Sequence, residues 1–477
     1  DELLAAYVED EAAVSSRHLH DELARQSRGG LVHPVFFGSA ITGAGVGALT
    51  AGITELLPAV EGGAEAMVSG TVFKIERGPS GEKIAYVRLF AGTVRTRDQL
   101  PMGQDRTPKV TAISVFERGS VVQRGSLAAG QIGKLWGLGD VRIGDAIGLP
   151  PRTWGHSFAP PTLESIVLPG RAEDRGRLYT ALTQLAEQDP LINLRRDPGG
   201  AEVSVSLYGE VQKEVIWATL ANDFDILVTF AETTTICIER PVGSGAAVEI
   251  ISKDPNPFLA TVGLRIDPAP MNSGVEFRLE VELGSMPFTF FKAVEDTVRE
   301  TLHEGLYGWE VIDCTVTMTH SGYYPRQSHS HAVFDKSMSS TAGDFRLLTP
   351  LVLMAALTQA GTRVSEPMHR FHLDLPADAL GPVLGILARL RGVPQTPARR
   401  GSSWLLDGDI PAAQVDELTI QLPGLTHGEG VLESAFGHYE PVRGNSPIRR
   451  RSDPDPLNRK EYLLQVVRRV SGPRSGT

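Results

Sequence analysis

Cysteine is nearly absent. Only Cys237 and Cys314 occur, with no Cys-x-x-Cys pair, which excludes a disulfide framework and a cysteine-rich zinc site and fits a reducing compartment. Long apolar runs are missing too: none approaches the ~18 residues that span a bilayer. The opening, Asp1-Glu2-Leu3-Leu4, has neither a basic nor an apolar leader region. The expectation is a cytoplasmic chain with no membrane partner. Positive charge is in deficit, with a formal net charge of -11, which argues against sequence-independent coating of nucleic acid. The common catalytic signatures are lacking as well. There is no GxxxxGK[ST] phosphate loop, no HExxH and no GxSxG. Gly78-Pro79-Ser80-Gly81-Glu82-Lys83 has the wrong spacing for a phosphate loop and reads as a hairpin turn.

What is present is a globular chain of several units. Its 477 residues correspond to roughly three to five domains. Hydrophobic residues at 41% and charged residues at 22% exclude wholesale disorder. The first residue is not Met and the opening reads as mid-domain sequence, so the expectation is that the native N-terminus lies upstream. Residues 1 to 60 read as a helical segment, an apolar strand Val35-Phe36-Phe37, a Gly-rich turn and a helix ending near Leu57-Pro58, which is the end of an α/β unit. From Val68 to Leu149, short alternating runs such as Tyr86 to Phe90, separated by Gly-rich turns, predict a small β-barrel.

Beyond Pro160-Pro161, a strand (Leu163 to Leu168) leads to a helix with Leu178, Leu182 and Leu185 on one face. A strand (Val203 to Leu207) and a helix carrying Val211, Val215 and Ala218 follow, and the β-α-β-β-α-β order implied is ferredoxin-like. The same order recurs from Pro367: a strand Phe371 to Leu375, then a helix with Leu380, Val383, Leu384, Leu387 and Leu390 that Gly392 stops at C′. Between the two copies, Phe277 to Leu283 alternates as a half-buried strand. A helix with Phe291, Val294, Val298 and Leu302 in one stripe and a strand Val311 to Met318 come next. A polar segment from His320 to Asp344 separates that strand from a helix with Thr349 as N-cap, Pro350 at its first position and Gly361 as its stop.

That polar segment is the most informative stretch, because a loop of such length is usually functional or disordered. His320, His329 and His331, completed by Asp335, could ligate zinc, yet nothing fixes their geometry, and no metal is assigned. The same loop carries Tyr323, Tyr324, Pro325, Arg326, Lys336 and Ser337. Aromatic faces beside cations are what single-stranded RNA recognition requires, although the two tyrosines packing back on their own domain is an equal alternative. Residues 443 to 477 hold nine Lys or Arg against three Asp or Glu. This basic end reads either as disordered or, from the spacing of Tyr462, Leu463, Val466, Val467 and Val470, as a final amphipathic helix beside Arg468 and Arg469.

Several motifs resemble translational GTPases, in order and over nearly the whole chain. Val35-Phe36-Phe37-Gly38-Ser39-Ala40 resembles their last guanine-nucleotide motif, in which the backbone at Ser39 and Ala40 would approach the base. Leu207-Tyr208-Gly209-Glu210-Val211-Gln212 resembles the helix start of their third domain. Gly305-Leu306-Tyr307-Gly308-Trp309 with Glu310 to Cys314, and Gly437-His438-Tyr439-Glu440-Pro441, match the fourth and fifth domains. Pro255 to Leu264 lacks the Gly-rich loop of elongation factor G. With Tyr323-Tyr324-Pro325 and Asp344-Phe345-Arg346, it places the chain nearest the tetracycline-resistance ribosomal protection proteins of the oxytetracycline-producer type.

The resemblance implies a multidomain α/β and α+β fold. Residues 1–62 would be the C-terminal remnant of a GTPase domain and 66–152 a β-barrel. Residues 160–235 and 349–445 would be two ferredoxin-like domains, flanking an elongated α+β domain IV at 236–348 with a protruding tip loop at 320–344, and 446–477 would be a basic extension. It implies a monomeric ribosome binder whose domain IV enters the decoding region of the small-subunit rRNA and releases tetracycline. GTP and Mg2+ would serve the longer parent, and no cofactor, GTP hydrolysis or catalytic residue is expected of this chain alone. An elongation factor G-like translocase and a non-enzymatic RNA-binding scaffold stay open beside that reading.

Overall fold

The computed structural model describes residues 15–57, 63–102, 107–139, 141–150, 160–189, 191–196, 202–325 and 339–471, with the backbone alone described after residue 466. The chain divides into two compact units, 1–156 and 157–477.

In the first unit, helices Ser16–Arg28 and Val46–Leu56 precede a six-stranded antiparallel sheet. Its order is Ser120–Arg124, Ala112–Glu117, Ile132–Trp136, Lys83–Ala91, Ser69–Arg77 and Ala146–Gly148. The residues around Gly78 to Glu82 form the expected hairpin turn, closed by the Gly78 N–H on the Glu82 carbonyl at 2.8 Å. Alternate residues such as Val72, Val87, Leu89, Ile113 and Leu135 point into one core. The expected closed barrel is not formed: among the described residues no ladder joins the two outer strands. Instead Thr93–Arg95 and Ser126–Ala128 pair with each other as a separate ribbon. Val35 to Phe37 is not a strand either. A strand needs a neighbour to take its backbone N–H and C=O groups, none lies beside it among the described residues, and the Val35 and Phe37 side chains stand 75% and 90% exposed.

The second unit begins with an antiparallel sheet ordered Leu194–Arg196, Val203–Leu207, Leu163–Pro169 and Val228–Phe230, covered by helices Arg175–Gln188 and Glu210–Phe224. The first helix buries Leu178 and Leu182 as its spacing predicts. The second turns the other way. Ile216 and Leu220 face the sheet, while Val211 and Val215 are exposed. Its start is fixed by Gln212, whose side chain accepts from the Tyr208 N–H at 2.8 Å and donates to Asp189 at 2.9 Å.

The middle of the unit is a four-stranded sheet ordered Gly245–Glu249, Ala260–Pro268, Cys314–Tyr323 and Val275–Leu279, the last pair parallel. The edge strand stops at Leu279, four residues short of the alternating run, because only as far as Leu279 does it lie along Cys314–Tyr323. Helix Phe288–Thr301 buries Phe291, Val294 and Val298 against this sheet, with Leu302 just beyond its end.

The helix expected to begin at Thr349 begins seven residues earlier, as Ala342–Ala360. Thr341 and Asp344 form its capping box, satisfying N–H groups at the first turn. Thr349 is interior, donating to the Phe345 carbonyl at 2.7 Å. A proline inside a helix costs a backbone bond and a steric clash, which burial of Phe345, Leu348, Leu351, Val352, Leu353 and Leu357 offsets. A boundary at 348/349 would therefore cut this helix.

The last sheet is built on Thr362–Pro376, flanked by Val431–Pro441 and Ser403–Pro411, with helices Leu380–Arg389 and Val415–Leu425 behind it. The positive φ ending the first of these helices falls on Arg391, at 59°, rather than on Gly392. Gly392 donates to the Leu387 carbonyl at 2.7 Å, a Schellman closure, while Arg391 is held by a bidentate pair to Glu366 at 2.8 and 2.9 Å.

The basic C-terminal run is largely absorbed into the fold. Arg449 pairs with Glu164, Arg451 with Asp455 and Arg459 with Glu249. Helix Arg459–Ser471 seats Tyr462 and Val466 in the core of the middle sheet, where the Tyr462 hydroxyl donates to the Leu347 carbonyl at 2.9 Å. The side chains of Arg468 and Arg469 lie outside the described residues.

Candidate functional site

One end of the middle sheet gathers the loops that carry the candidate residues. Strand Cys314–Tyr323 runs further than its apolar pattern indicated, so the polar segment starts at Tyr324 rather than at His320. The chain returns at Ser340 to form a gate of backbone bonds. The Ser340 N–H donates to the Tyr324 carbonyl at 3.1 Å, and the Tyr324 N–H donates to Ser340 Oγ at 2.7 Å. The Ser340 hydroxyl donates onward to the Leu259 carbonyl at 2.5 Å. Tyr324 and Ser340, which flank residues 326–338, are thus tied to each other and to Leu259. Arg326, Lys336 and Ser337 belong to this segment but lie outside the described residues, as do His329, His331 and Asp335.

The two tyrosines part company at this root. Tyr323 is half-buried, edge-to-face on Phe290 at 5.8 Å, and Phe290 stacks on Phe345 at 4.7 Å. Its ring belongs to the aromatic packing beneath the loop, because side chains alternate along a strand and position 323 falls on the inner face. Tyr324 falls on the other side, 38% exposed, with Pro325 exposed beside it. Its hydroxyl lies 3.1 Å from Ser252 Oγ. That contact draws in a second loop, residues 250 to 259, where Lys253 and Pro255 are exposed. The loop is internally braced: the Lys253 N–H bonds the Ile250 carbonyl at 3.2 Å, and the Asn256 N–H bonds the Lys253 carbonyl at 2.9 Å. Asn256 is buried, donating to the Ala260 carbonyl at 2.8 Å and accepting from the Phe258 N–H at 2.9 Å.

The site is therefore two loops side by side, presenting one ring, a proline and a cation from rigid backbone. Sequence reasoning missed Ser252 and Lys253. The signal was there in the turn-dense run Asp254-Pro255-Asn256-Pro257, which follows an apolar strand and precedes another.

The remaining sequence-predicted residues lie elsewhere. Ser39 and Ala40, in the first unit, sit in a tight turn ahead of helix Val46–Leu56. The Ser39 N–H is committed to the Ala44 carbonyl at 2.9 Å, and its hydroxyl accepts from the Thr42 N–H at 3.3 Å. The Ser39 amide is thus committed to its own turn, and this sequence contains no phosphate loop. His320 contacts Thr319 through Nδ1 at 3.0 Å, and no metal-holding cluster of His, Cys, Asp or Glu occurs among the described residues. The Gly305 to Trp309 motif has a structural role. Fully buried Glu239 accepts from the N–H groups of Leu306, Tyr307 and Trp309 at 2.8, 2.8 and 3.1 Å and from the Thr362 hydroxyl at 2.6 Å. Burial acts to raise the pKa of that carboxyl.

This succession of sheets is that of a translation-factor class. Residues 158–232 match the model of elongation factor G domain III, 233–361 that of domain IV, and 363–449 that of the elongation factor G C-terminus. Over 98% of its length, the chain is 44% identical to an oxytetracycline resistance protein of Streptomyces rimosus and covers 71% of it. It is 40% identical over 93% of its length to the tetracycline resistance protein TetM of Streptomyces lividans, covering 69% of that protein, and 36% identical over 95% to TetP of Clostridium perfringens, covering 68%. The chain belongs to the elongation factor G-like family of tetracycline-resistance ribosomal protection proteins. No described helix is long and apolar enough to cross a membrane.

Proposed function

We propose that this chain acts in the cytoplasm as a monomer on the ribosome, where the two-loop end of domain IV enters the decoding region of the small subunit and releases bound tetracycline. The observation that carries this reading is the partly exposed Tyr324 ring beside Pro325, its backbone tied to Ser340 and its hydroxyl to Ser252 in the loop that carries exposed Lys253. A fixed aromatic face next to a cation suits an unstacked base and its phosphate, and stacking supplies roughly 1–3 kcal/mol per base. Arg326, Lys336 and Ser337 would add cationic and hydroxyl contacts to it. The acidic balance of the chain, -11 overall, restricts RNA affinity to such local points. Because this sequence contains no phosphate loop, GTP and Mg2+ belong in this reading to a longer parent that carries one, and no step here is routed through them.

The test is tetracycline tolerance. The complete reading frame containing this chain, expressed in a sensitive bacterium, should raise the tolerated drug concentration. The domain-model matches to elongation factor G keep translocation as a second reading. Rescue of cells depleted of elongation factor G, without any gain in tolerance, would favour it and sink the first.

A further inference from the structure

We infer that Arg459 is a positioning residue for the loop at residues 250 to 259, and through it for the face that Tyr324 presents; this deepens the proposed function and rests on it. The Arg459 guanidinium bridges two parts of the middle sheet. Nη1 and Nη2 donate to the two carboxylate oxygens of Glu249 at 2.5 and 3.0 Å, and Nη2 also donates to the Pro255 carbonyl at 2.7 Å. Glu249 closes the strand that enters the loop, and Pro255 lies in its middle, so a single planar group spans the turn. The two side chains are 32% and 14% exposed, which places the bridge at the edge of solvent and strengthens it relative to a surface pair.

The arginine itself is held independently of the loop. It is the first residue of helix Arg459–Ser471, whose Tyr462 and Val466 are anchored in the core beside helix Ala342–Ala360. On the far side of the same loop, the Ile251 N–H bonds Thr261 Oγ1 at 2.9 Å and Ser252 meets the Tyr324 hydroxyl. The loop is thus tied to Tyr324 at one flank and to the C-terminal helix at the other. Fixing the second flank removes backbone freedom from Ser252, and hence from the hydroxyl that orients the Tyr324 ring. Lysine cannot substitute fully, since its ammonium is a point donor and the bridge needs a planar fork.

The test combines hydrogen exchange of the whole chain with release of radiolabelled tetracycline from ribosomes by the complete reading frame that contains it. In Arg459→Ala, amides of residues 250–259 should exchange roughly tenfold faster or more, while those of helix Ala342–Ala360 keep their wild-type rate. Arg459→Lys should fall between the two. Drug release should drop by about tenfold in Arg459→Ala, in proportion to the exchange change, and recover in part in Arg459→Lys. Unchanged exchange in 250–259, or equally faster exchange in both segments, overturns the inference, since the first denies the tether and the second makes Arg459 a general stabiliser. Local loosening with undiminished release overturns it as well. A complete wild-type protein that releases no drug refutes the ribosomal reading instead, and the exchange arm still decides the tether.

Discussion

Arg449 and Glu164 stand 285 positions apart in the chain, and Arg449 Nη2 meets Glu164 Oε2 at 2.5 Å with side chains only 13% and 10% exposed. The guanidinium also lies over the Trp309 ring at 5.0 Å. A strand of the first ferredoxin-order sheet, the Gly305 to Trp309 motif and the C-terminal segment therefore converge on one ion pair. Removing Glu164 leaves the buried Arg449 charge without its partner, and removing Arg449 leaves Glu164 only Arg195 at 4.0 Å, each at about 3 kcal/mol. Glu164→Ala and Arg449→Ala should each lower stability by about that amount, and the double variant by clearly less than the sum. Denaturant unfolding of all four proteins measures the coupling, and strict additivity would refute it.

The two tyrosines should respond oppositely to truncation. Tyr323→Ala removes half-buried aromatic packing on Phe290 and should cost about 2 kcal/mol of stability. Tyr324→Ala should change stability by less than about 0.5 kcal/mol, yet weaken ribosome binding roughly tenfold, the loss of one stacked base. Thermal melts and ribosome co-sedimentation separate the two. Strong unfolding of Tyr324→Ala would show its ring to be packing instead.

Gly308 and Gly274 share a positive φ, 83° and 69°, but differ in surroundings. A Cβ on Gly308 would overlap the Arg449 carbonyl oxygen, whereas one on Gly274 would meet nothing within 4 Å. Gly274→Ala should cost roughly 1 kcal/mol from the backbone conformation alone. Gly308→Ala should cost roughly 2 kcal/mol or more, because the C-terminal segment must also shift. Equal losses in chemical denaturation would contradict the overlap.

Acid should weaken the first unit through Glu76. The hydrogen bond from Lys74, followed by that from the Tyr86 hydroxyl, holds the Glu76 carboxyl at about 2, against a usual 4.5. A carboxyl whose pKa is depressed on folding stabilises the native state above its unfolded value, and that contribution fades as pH falls toward the folded value. The difference in melting temperature between wild type and Glu76→Gln should therefore be largest above pH 4.5 and shrink between pH 4.5 and 2. A difference that stays constant with pH would rule this out.

Cys237 and Cys314 are both buried, and burial pushes both thiols up to about 12. Since the thiolate is the reacting species, neither should label with a thiol reagent at pH 8 in the native chain, and both should titrate in denaturant. Rapid native labelling of either would show that it is accessible.

Much of the fold was legible locally because the relevant signals are local. The stripe Phe291, Val294, Val298 and Leu302, and the face Leu178 and Leu182, have one helical period and one apolar side, so periodicity alone selected the buried residues. Helix Glu210–Phe224 offered two apolar faces, Val211 with Val215 and Ile216 with Leu220, and only the position of the sheet chose between them. Thr349-Pro350 has the composition of a helix start, yet burial on nearly every side carried the helix back to Ala342. Of the tip, the aromatic pair was visible, but which ring faces outward depends on where the strand ends.

The linear order of residues was enough to establish the family and the absence of a phosphate-loop pattern from this sequence, since each rests on residue types at fixed short spacings. Tertiary structure decided that Arg449, Arg451 and Arg459 of the basic C-terminal run brace the fold, that Tyr323 packs while Tyr324 stands partly exposed, and that Arg459 reaches Pro255. Those outcomes depend on groups distant in the chain meeting in space, Arg459 with Pro255 across 204 positions and Tyr324 with Ser252 across 72, and such meetings are set by how whole sheets and helices pack.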